Sequence, residues 1–236
     1  MIQYVLQTED VAIHYGGVKA VDGVDLTLAK GQIRGLIGPN GAGKSTVIDA
    51  ITGRRRLTRG RVTLLGEDVS ALGVVARRGR GLSRSFQRTS IFAQMPVFKQ
   101  VELASHQMGA SDSYADAQAV LQELDLWDMR ETVAQDLGYG EQRRLDLALA
   151  LVGHPSVLLL DEPMAGVEGQ TYALIQKAVR DIAASGVAIC VVEHNVAFIR
   201  DLCDEGVFMF AGKVLARGSV EQLIADPHLT ELYFGT

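Results

Sequence analysis

The apolar positions of the chain fall into short runs and helical stripes punctuated by glycine. Val157 to Leu160 and Val187 to Val192 are unbroken apolar runs; Asp161-Glu162 follows the first and Glu193-His194 the second. Strands that are apolar at every position are buried on both faces, as in the middle of a parallel sheet. A shorter run, Ile33 to Ile37, leads through glycines into Val47-Ile48-Asp49-Ala50-Ile51, which reads as a helix stopping at Gly53. Before it, Tyr4 to His14 and Val18 to Leu28 mix β-branched, aromatic and polar residues around Gly16-Gly17 and predict an antiparallel β region. Gly60 to Gly66 encloses a short strand, Ser83 to Gln87 is strand-like, and Val207 to Ala216 folds into a hairpin at Ala211-Gly212.

Helical patterning dominates between these strands. Ile91 to Ser113 has poor periodicity, and Pro96 opposes one long helix through it. Ser113 with Asp116 resembles a capping box ahead of a face formed by Tyr114, Ala117, Leu121 and Leu124. Glu141 to Val152 is rich in leucine and alanine, and Tyr172, Ile175, Val179 and Ile182 line a helix ending near Gly186. Ser219 and Gln222 cap a final helix toward Ile224, with Pro227 after it. The pattern predicts one α/β domain over 1–236, with an antiparallel β subdomain at its start and an inserted helical subdomain at about 88–153.

Composition narrows the class. A 47% hydrophobic content supplies a sizeable core, and no stretch approaches a membrane span or a secretory signal, so any membrane role is expected to be peripheral. Cys190 and Cys203 have no metal-ligand spacing and read as packed thiols in a reducing compartment. A formal charge of -5 opposes a general nucleic-acid binder, although ten of the seventeen arginines fall between Arg54 and Arg88. That cluster leaves open a nucleic-acid face, a surface meeting polyphosphate or a partner, and a solvated patch.

The chemistry is concentrated where the apolar runs end. Gly38-Pro39-Asn40-Gly41-Ala42-Gly43-Lys44-Ser45 fits G-x-x-x-x-G-K-[S/T] between a strand and a helix, with Thr46 next. Its glycines let backbone N–H groups turn toward phosphates, Lys44 reaches the β- and γ-phosphates, and the Ser45 hydroxyl is placed for Mg²⁺. Asp161 and Glu162 at a buried strand end match a magnesium-associated aspartate and a residue that polarises or deprotonates attacking water. His194 stands at the next strand end, where a histidine is either structural or touches the γ-phosphate. Tyr15, at a turn, is either a half-buried strand tyrosine or a platform for a nucleobase.

Taken together these motifs resemble the ATP-binding cassette (ABC) family over essentially the whole chain, implying a P-loop NTPase core using ATP and Mg²⁺. The resemblance puts Gln87 at the Q-loop position beside Mg²⁺, Tyr15 at the adenine-stacking position and His194 at the switch position. The family signature is matched by Gly138, Tyr139, Gly140 and Glu141 after Leu137; its usual serine hydroxyl is missing at Gly138 and its usual D-loop aspartate is replaced at Glu168. In such proteins the signature serves the nucleotide of a second cassette, so these four residues are expected to act in trans, beginning with the helix N-terminus after Gly140.

Leu137 to Arg144, Glu162-Pro163-Met164-Ala165-Gly166, Val192-Glu193-His194-Asn195 and Glu231 to Gly235 look like cassettes of branched-chain amino acid importers, to which urea and short-amide importers are related. The implied partners are a second ABC ATPase subunit, two transmembrane permeases contacted through 88–112, and indirectly an external solute-binding protein, with no nucleic acid. The implied place is the cytoplasmic face of the inner or plasma membrane. A soluble ABC ATPase on ribosomes or DNA, a regulatory subunit that holds ATP without hydrolysis, and an export or lipid-related role are the competing readings.

Overall fold

The computed structural model describes residues 3–85, 90–165, 167, 169–194, 196–203 and 205–234. The chain begins with two long strands, β1 (Tyr4–Tyr15) and β2 (Val18–Ala29), then runs through β3 (Ile33–Ile37), α1 (Lys44–Thr52), β4 (Arg59–Leu64), β5 (Glu67–Asp68), α2 (Val74–Arg78) and β6 (Leu82–Arg84). Three helices follow, α3 (Val97–Gln107), α4 (Ser113–Glu123) and α5 (Tyr139–Leu151). The remainder alternates: β7 (Val157–Asp161), α6 (Gln170–Ala184), β8 (Ala188–Val192), α7 (Val196–Leu202), β9 (Glu205–Phe210), β10 (Lys213–Ser219), α8 (Val220–Ala225) and α9 (Pro227–Phe234). This is a P-loop NTPase core with an antiparallel β region and helical insertions.

Two sheets form, a four-stranded one in the order β2-β1-β4-β5 and a six-stranded one in the order β10-β9-β3-β8-β7-β6. The first is antiparallel; in the second β9, β3, β8, β7 and β6 run parallel, and β10 closes the edge as an antiparallel hairpin partner. Period-two alternation sorts the side chains of the larger sheet into two cores. Leu158, Leu160, Ile189 and Val191 face the core shared with α3 to α7. Val157, Leu159, Cys190 and Val192 face the core shared with α1 and the antiparallel sheet. Both faces are covered, which is why these strands read as unbroken apolar runs.

Several local expectations need correction. No helix crosses Pro96, as expected, but the segment after it is not irregular: Pro96 is the N-cap of α3, with Val97 and Val101 buried behind it. The cap of α4 is Asp112, whose Oδ1 accepts the Ala115 N–H at 3.0 Å, not Ser113 with Asp116. Asp116 instead accepts the Ser105 hydroxyl and pairs with His154. The Ser219–Gln222 capping box of α8 forms as expected, but Pro227 starts a further helix, α9.

Among the described arginines of the cluster, Arg77, Arg78 and Arg84 are drawn into the fold, while Arg54, Arg55, Arg56, Arg59, Arg61 and Arg80 stay exposed. Arg77, 1% exposed, donates to the carbonyls of Ala50 and Ile51 at the end of α1 and to those of Leu72 and Ser70. Arg78 does the same for Ala150 and Val152 at the end of α5. Guanidinium groups suit orphan carbonyls at helix C-termini, where the dipole also favours a cation. Arg59, Arg61 and Arg80 pair with Asp10, Asp68 and Glu67.

Cys190 and Cys203 are both buried, and burial pushes the Cys190 thiol up to about 12. Neither thiol should therefore react with an aromatic disulfide reagent at pH 8 while the chain is folded, and both should react once urea unfolds it. Fast labelling of the native chain would contradict this packing.

Candidate active site

Parallel register brings the chemical segments to one edge of the sheet. Leu36 of β3 pairs with Val192 of β8, which also pairs with Asp161 of β7, so all three chains leave the sheet side by side. The crevice outside the carboxyl ends of parallel strands is where open α/β sheets bind ligands. The glycine-rich loop follows β3, Glu162 follows β7 and His194 follows β8.

Two glycines are demanded by close approach. Gly38 has φ 148°, and a Cβ there would lie 2.2 Å from the Met209 carbonyl of β9. Gly43 has φ 100°, and a Cβ there would lie 2.7 Å from the Ala20 carbonyl of β2. The absence of side chains lets β9 and β2 close around the loop, and the β9–β10 turn is fastened to it by Gly212 N–H donating to Ala42 O at 3.0 Å.

Loop and strand ends line a cavity of about 450 Å³ that includes residues 40 to 46, Glu162, His194, Val18 to Ala20, Ala211 and Gly212. Lys44 is buried, and its ammonium donates to the carbonyls of Gly38 at 2.7 Å and Pro39 at 2.9 Å. Burial pushes its pKa down, while the carboxylates of Glu162 and Asp161 pull it back up. Glu162 has a left-handed backbone, φ 50°, as the chain swings out of β7, and its N–H donates to Val192 O at 2.8 Å. Such a conformation is uncommon for a residue with a Cβ and gathers at functional sites. Its Oε1 lies 2.9 Å from Nε2 of His194.

Asp161 is buried behind this pair, and its Oδ2 accepts from Arg84 at 2.6 Å; the same guanidinium reaches Oδ1 of Asp49 in α1 at 2.5 Å. Arg84 thus ties the phosphate-loop helix, β7 and the end of β6 by charge, a role nothing in the isolated sequence signalled. Lys19, Ala20 and the Ala211-Gly212 turn were also missed, because only tertiary folding carries them to the loop.

The other sequence-predicted residues lie elsewhere. Tyr15 is 46% exposed and does not line the cavity; it pairs with Val18, which does, and the Arg55 guanidinium lies over its ring at 5.7 Å. Gln87 falls outside the described residues. Gly138 to Glu141 are not among the residues lining the cavity and stand at the start of α5. That helix begins at Tyr139, before Gly140 and not after it, with Gly138 as N-cap and the Glu141 carboxylate accepting the Gly138 N–H at 2.5 Å. A Cβ on Gly140 would meet Thr171 Cγ2 at 2.4 Å, so α6 packs where a side chain would stand. The Tyr139 hydroxyl and Arg143 both donate to the Ala165 carbonyl, joining α5 to the segment that follows Glu162.

Among the described residues no three His, Cys, Asp or Glu side chains gather as a metal cage. The Ser45 hydroxyl and Asp161 carboxylate are hard oxygen donors beside a phosphate loop, which suits Mg²⁺, an ion usually held by one or two protein oxygens together with substrate phosphates. The residues present therefore fit Mg²⁺ arriving with a nucleotide.

The sequence model of the ABC transporter family matches residues 21–165. The chain is an ATP-binding subunit of the ABC transporter family. The lipopolysaccharide export system ATP-binding protein of Haemophilus influenzae is 32% identical over 234 residues, covering 98% of this chain and 97% of that protein. Its namesake from Escherichia coli is 30% identical over 233 residues, with the same coverage of both chains. A crystal structure of the ADP conformation of an ATP-binding cassette of an ABC transporter superposes with a TM-score of 0.91 at 28% identity, covering 99% of this chain and 100% of that one. The chain is an ABC-type ATPase, and use of ATP with Mg²⁺ is typical of its family. Among the described residues no helix is long and apolar enough to cross a membrane.

A charge-assisted contact to phosphate is worth about 1.5–3 kcal/mol. Lys44→Ala should therefore weaken ATP binding about tenfold or more, measured with a fluorescent ATP analogue. Unchanged affinity would remove Lys44 from the site.

Proposed function

We propose that the chain hydrolyses ATP to drive a branched-chain amino acid importer, working at the cytoplasmic face of the inner or plasma membrane. The observation that carries the hydrolytic part is the Glu162–His194 contact of 2.9 Å at the cavity formed by the phosphate loop. In this reading Gly38 to Thr46 cradle the phosphates, Lys44 neutralises them, and Ser45, Asp161 and Gln87 would hold Mg²⁺, which supplies charge stabilisation when bound. Glu162 takes or polarises the proton of the attacking water, His194 orients Glu162 and meets the γ-phosphate, and Tyr15 stacks on the base from beside the cavity.

One chain supplies half of the site. Gly138, Tyr139, Gly140 and Glu141 would serve the nucleotide of a second cassette, either another copy or a paralogue, and their absence from the lining of the chain's own cavity agrees with that role. Glu141 must then release the Gly138 N–H before the start of α5 can meet a γ-phosphate. Two permeases would dock through residues 88 to 112 of the inserted helical part at 88–153, with a solute-binding protein outside.

The substrate class rests on the motif set Leu137 to Arg144, Glu162 to Gly166 and Val192 to Asn195. Urea and short-amide importers share this resemblance. Lipid export is a second reading, favoured by full-length similarity to the lipopolysaccharide export proteins. The ribosome or DNA reading keeps less support, since Arg59, Arg61, Arg77, Arg78, Arg80 and Arg84 bind carbonyls and carboxylates of the chain itself.

Purification of the tagged native chain in mild detergent, with mass spectrometry of its companions, tests the proposal. Two hydrophobic permeases and a second cassette are expected, and a periplasmic or surface binding protein for amino acids should join when its ligand is added. Permeases bridged to lipid-carrying envelope proteins would replace the import reading with export, and ribosomal proteins in their place would overturn both.

A further inference from the structure

Directly after β8 the chain carries a carboxylate that the hydrolysis scheme leaves without a task. Glu193 is 4% exposed, a burial that an ionised group tolerates only when hydrogen bonds replace its water. Its Oε1 accepts the backbone N–H of Met164 at 2.7 Å, and its Oε2 accepts the backbone N–H of His194 at 2.9 Å. The donors belong to the two segments that bear the chemistry: Met164 stands two residues past Glu162, and His194 is the histidine itself.

Both segments have left the sheet at this point, since β7 ends at Asp161 and β8 at Val192. Among the described residues, the Glu162 N–H to Val192 O bond is the last ladder-like contact between them. Beyond it the Glu193 carboxylate spans the gap, and the Tyr233 hydroxyl of α9 fastens the His194 carbonyl from the other side at 2.9 Å. The peptide groups on either side of the His194 side chain are therefore both tied to groups outside the phosphate loop.

We infer that Glu193 is a positioning residue for ATP hydrolysis, its carboxylate setting the relative placement of Glu162 and His194 through the backbone of both. This rests on the reading of those two residues as the pair that handles the attacking water and the γ-phosphate. Hydrogen bonds to an ionised acceptor are stronger and more directional than neutral ones. A displacement of about 1 Å at reacting groups can cost on the order of a hundredfold in rate. Glu193 is not among the residues lining the nucleotide cavity, so its loss should act on turnover and leave binding alone.

Glu193→Gln keeps the shape but turns one acceptor into an NH₂ group facing an N–H. ATPase kinetics of the full chain should show kcat lower by about tenfold or more with the KM for ATP within about twofold. Amide hydrogen exchange at Met164 or His194 should speed up in the variant while the β7 and β8 amides stay protected. Tyr233→Phe, which removes only the hydroxyl on the His194 carbonyl, should lower kcat by about threefold at unchanged KM, and it decides the matter if Glu193→Gln does not fold.

Glu162→Gln run in parallel separates the two levels of the argument. An inactive Glu162→Gln beside a Glu193→Gln with wild-type kcat overturns the positioning role alone. A Glu162→Gln with wild-type rate overturns the underlying assignment. Equal losses of kcat, ATP affinity and thermal stability in both Glu193→Gln and Tyr233→Phe would make this a folding contact and also overturn the inference.

Discussion

The structure depends first on the parallel pairing of β3, β8 and β7. Each is buried on both faces, so its register is held by two cores at once, and a slip of one residue would exchange the side chains of those cores. That register sets Leu36, Val192 and Asp161 in a row and delivers three loops to one edge. The phosphate loop lies more than a hundred residues before the Asp161-Glu162 pair, with His194 about thirty residues further on, and the sheet makes them neighbours.

Placing carboxylates and a lysine at such an edge is costly unless each is answered. Arg84 answers Asp161 and Asp49, Lys44 is held by the carbonyls of its own loop, and Glu193 is answered by two backbone N–H groups. These contacts also cross element boundaries. Arg84 connects α1, β6 and β7; Glu193 connects the ends of β7 and β8; Tyr139 and Arg143 connect α5 to Ala165. The polar groups near the site therefore fix how the elements meet, while the apolar cores fix that they meet.

Much of this was legible in the sequence because it is local. Unbroken apolar runs announced buried strands, glycine spacing announced the phosphate loop, and strand ends marked Asp161, Glu162 and His194. The helix after Pro96 was not legible, since its stripe is short and proline reads equally as a break or a start. Asp112 was passed over for Ser113 because both are good caps, and only backbone geometry decides between them. The arginine cluster was ambiguous for a deeper reason: a charge that caps a distant helix, as Arg78 does for α5, looks in sequence like a charge on the surface. Tyr15 lies beside the cavity instead of in its wall, and Gln87 falls outside the described residues.

The central claim is that the end of β7 cleaves the nucleotide that the phosphate loop holds. The most direct measurement identifies the nucleotide that stays with the protein after incubation with Mg²⁺ and ATP and rapid removal of the free pool. Wild-type chain should retain ADP, and Glu162→Gln should retain intact ATP. ADP on both proteins in equal amounts would contradict the account.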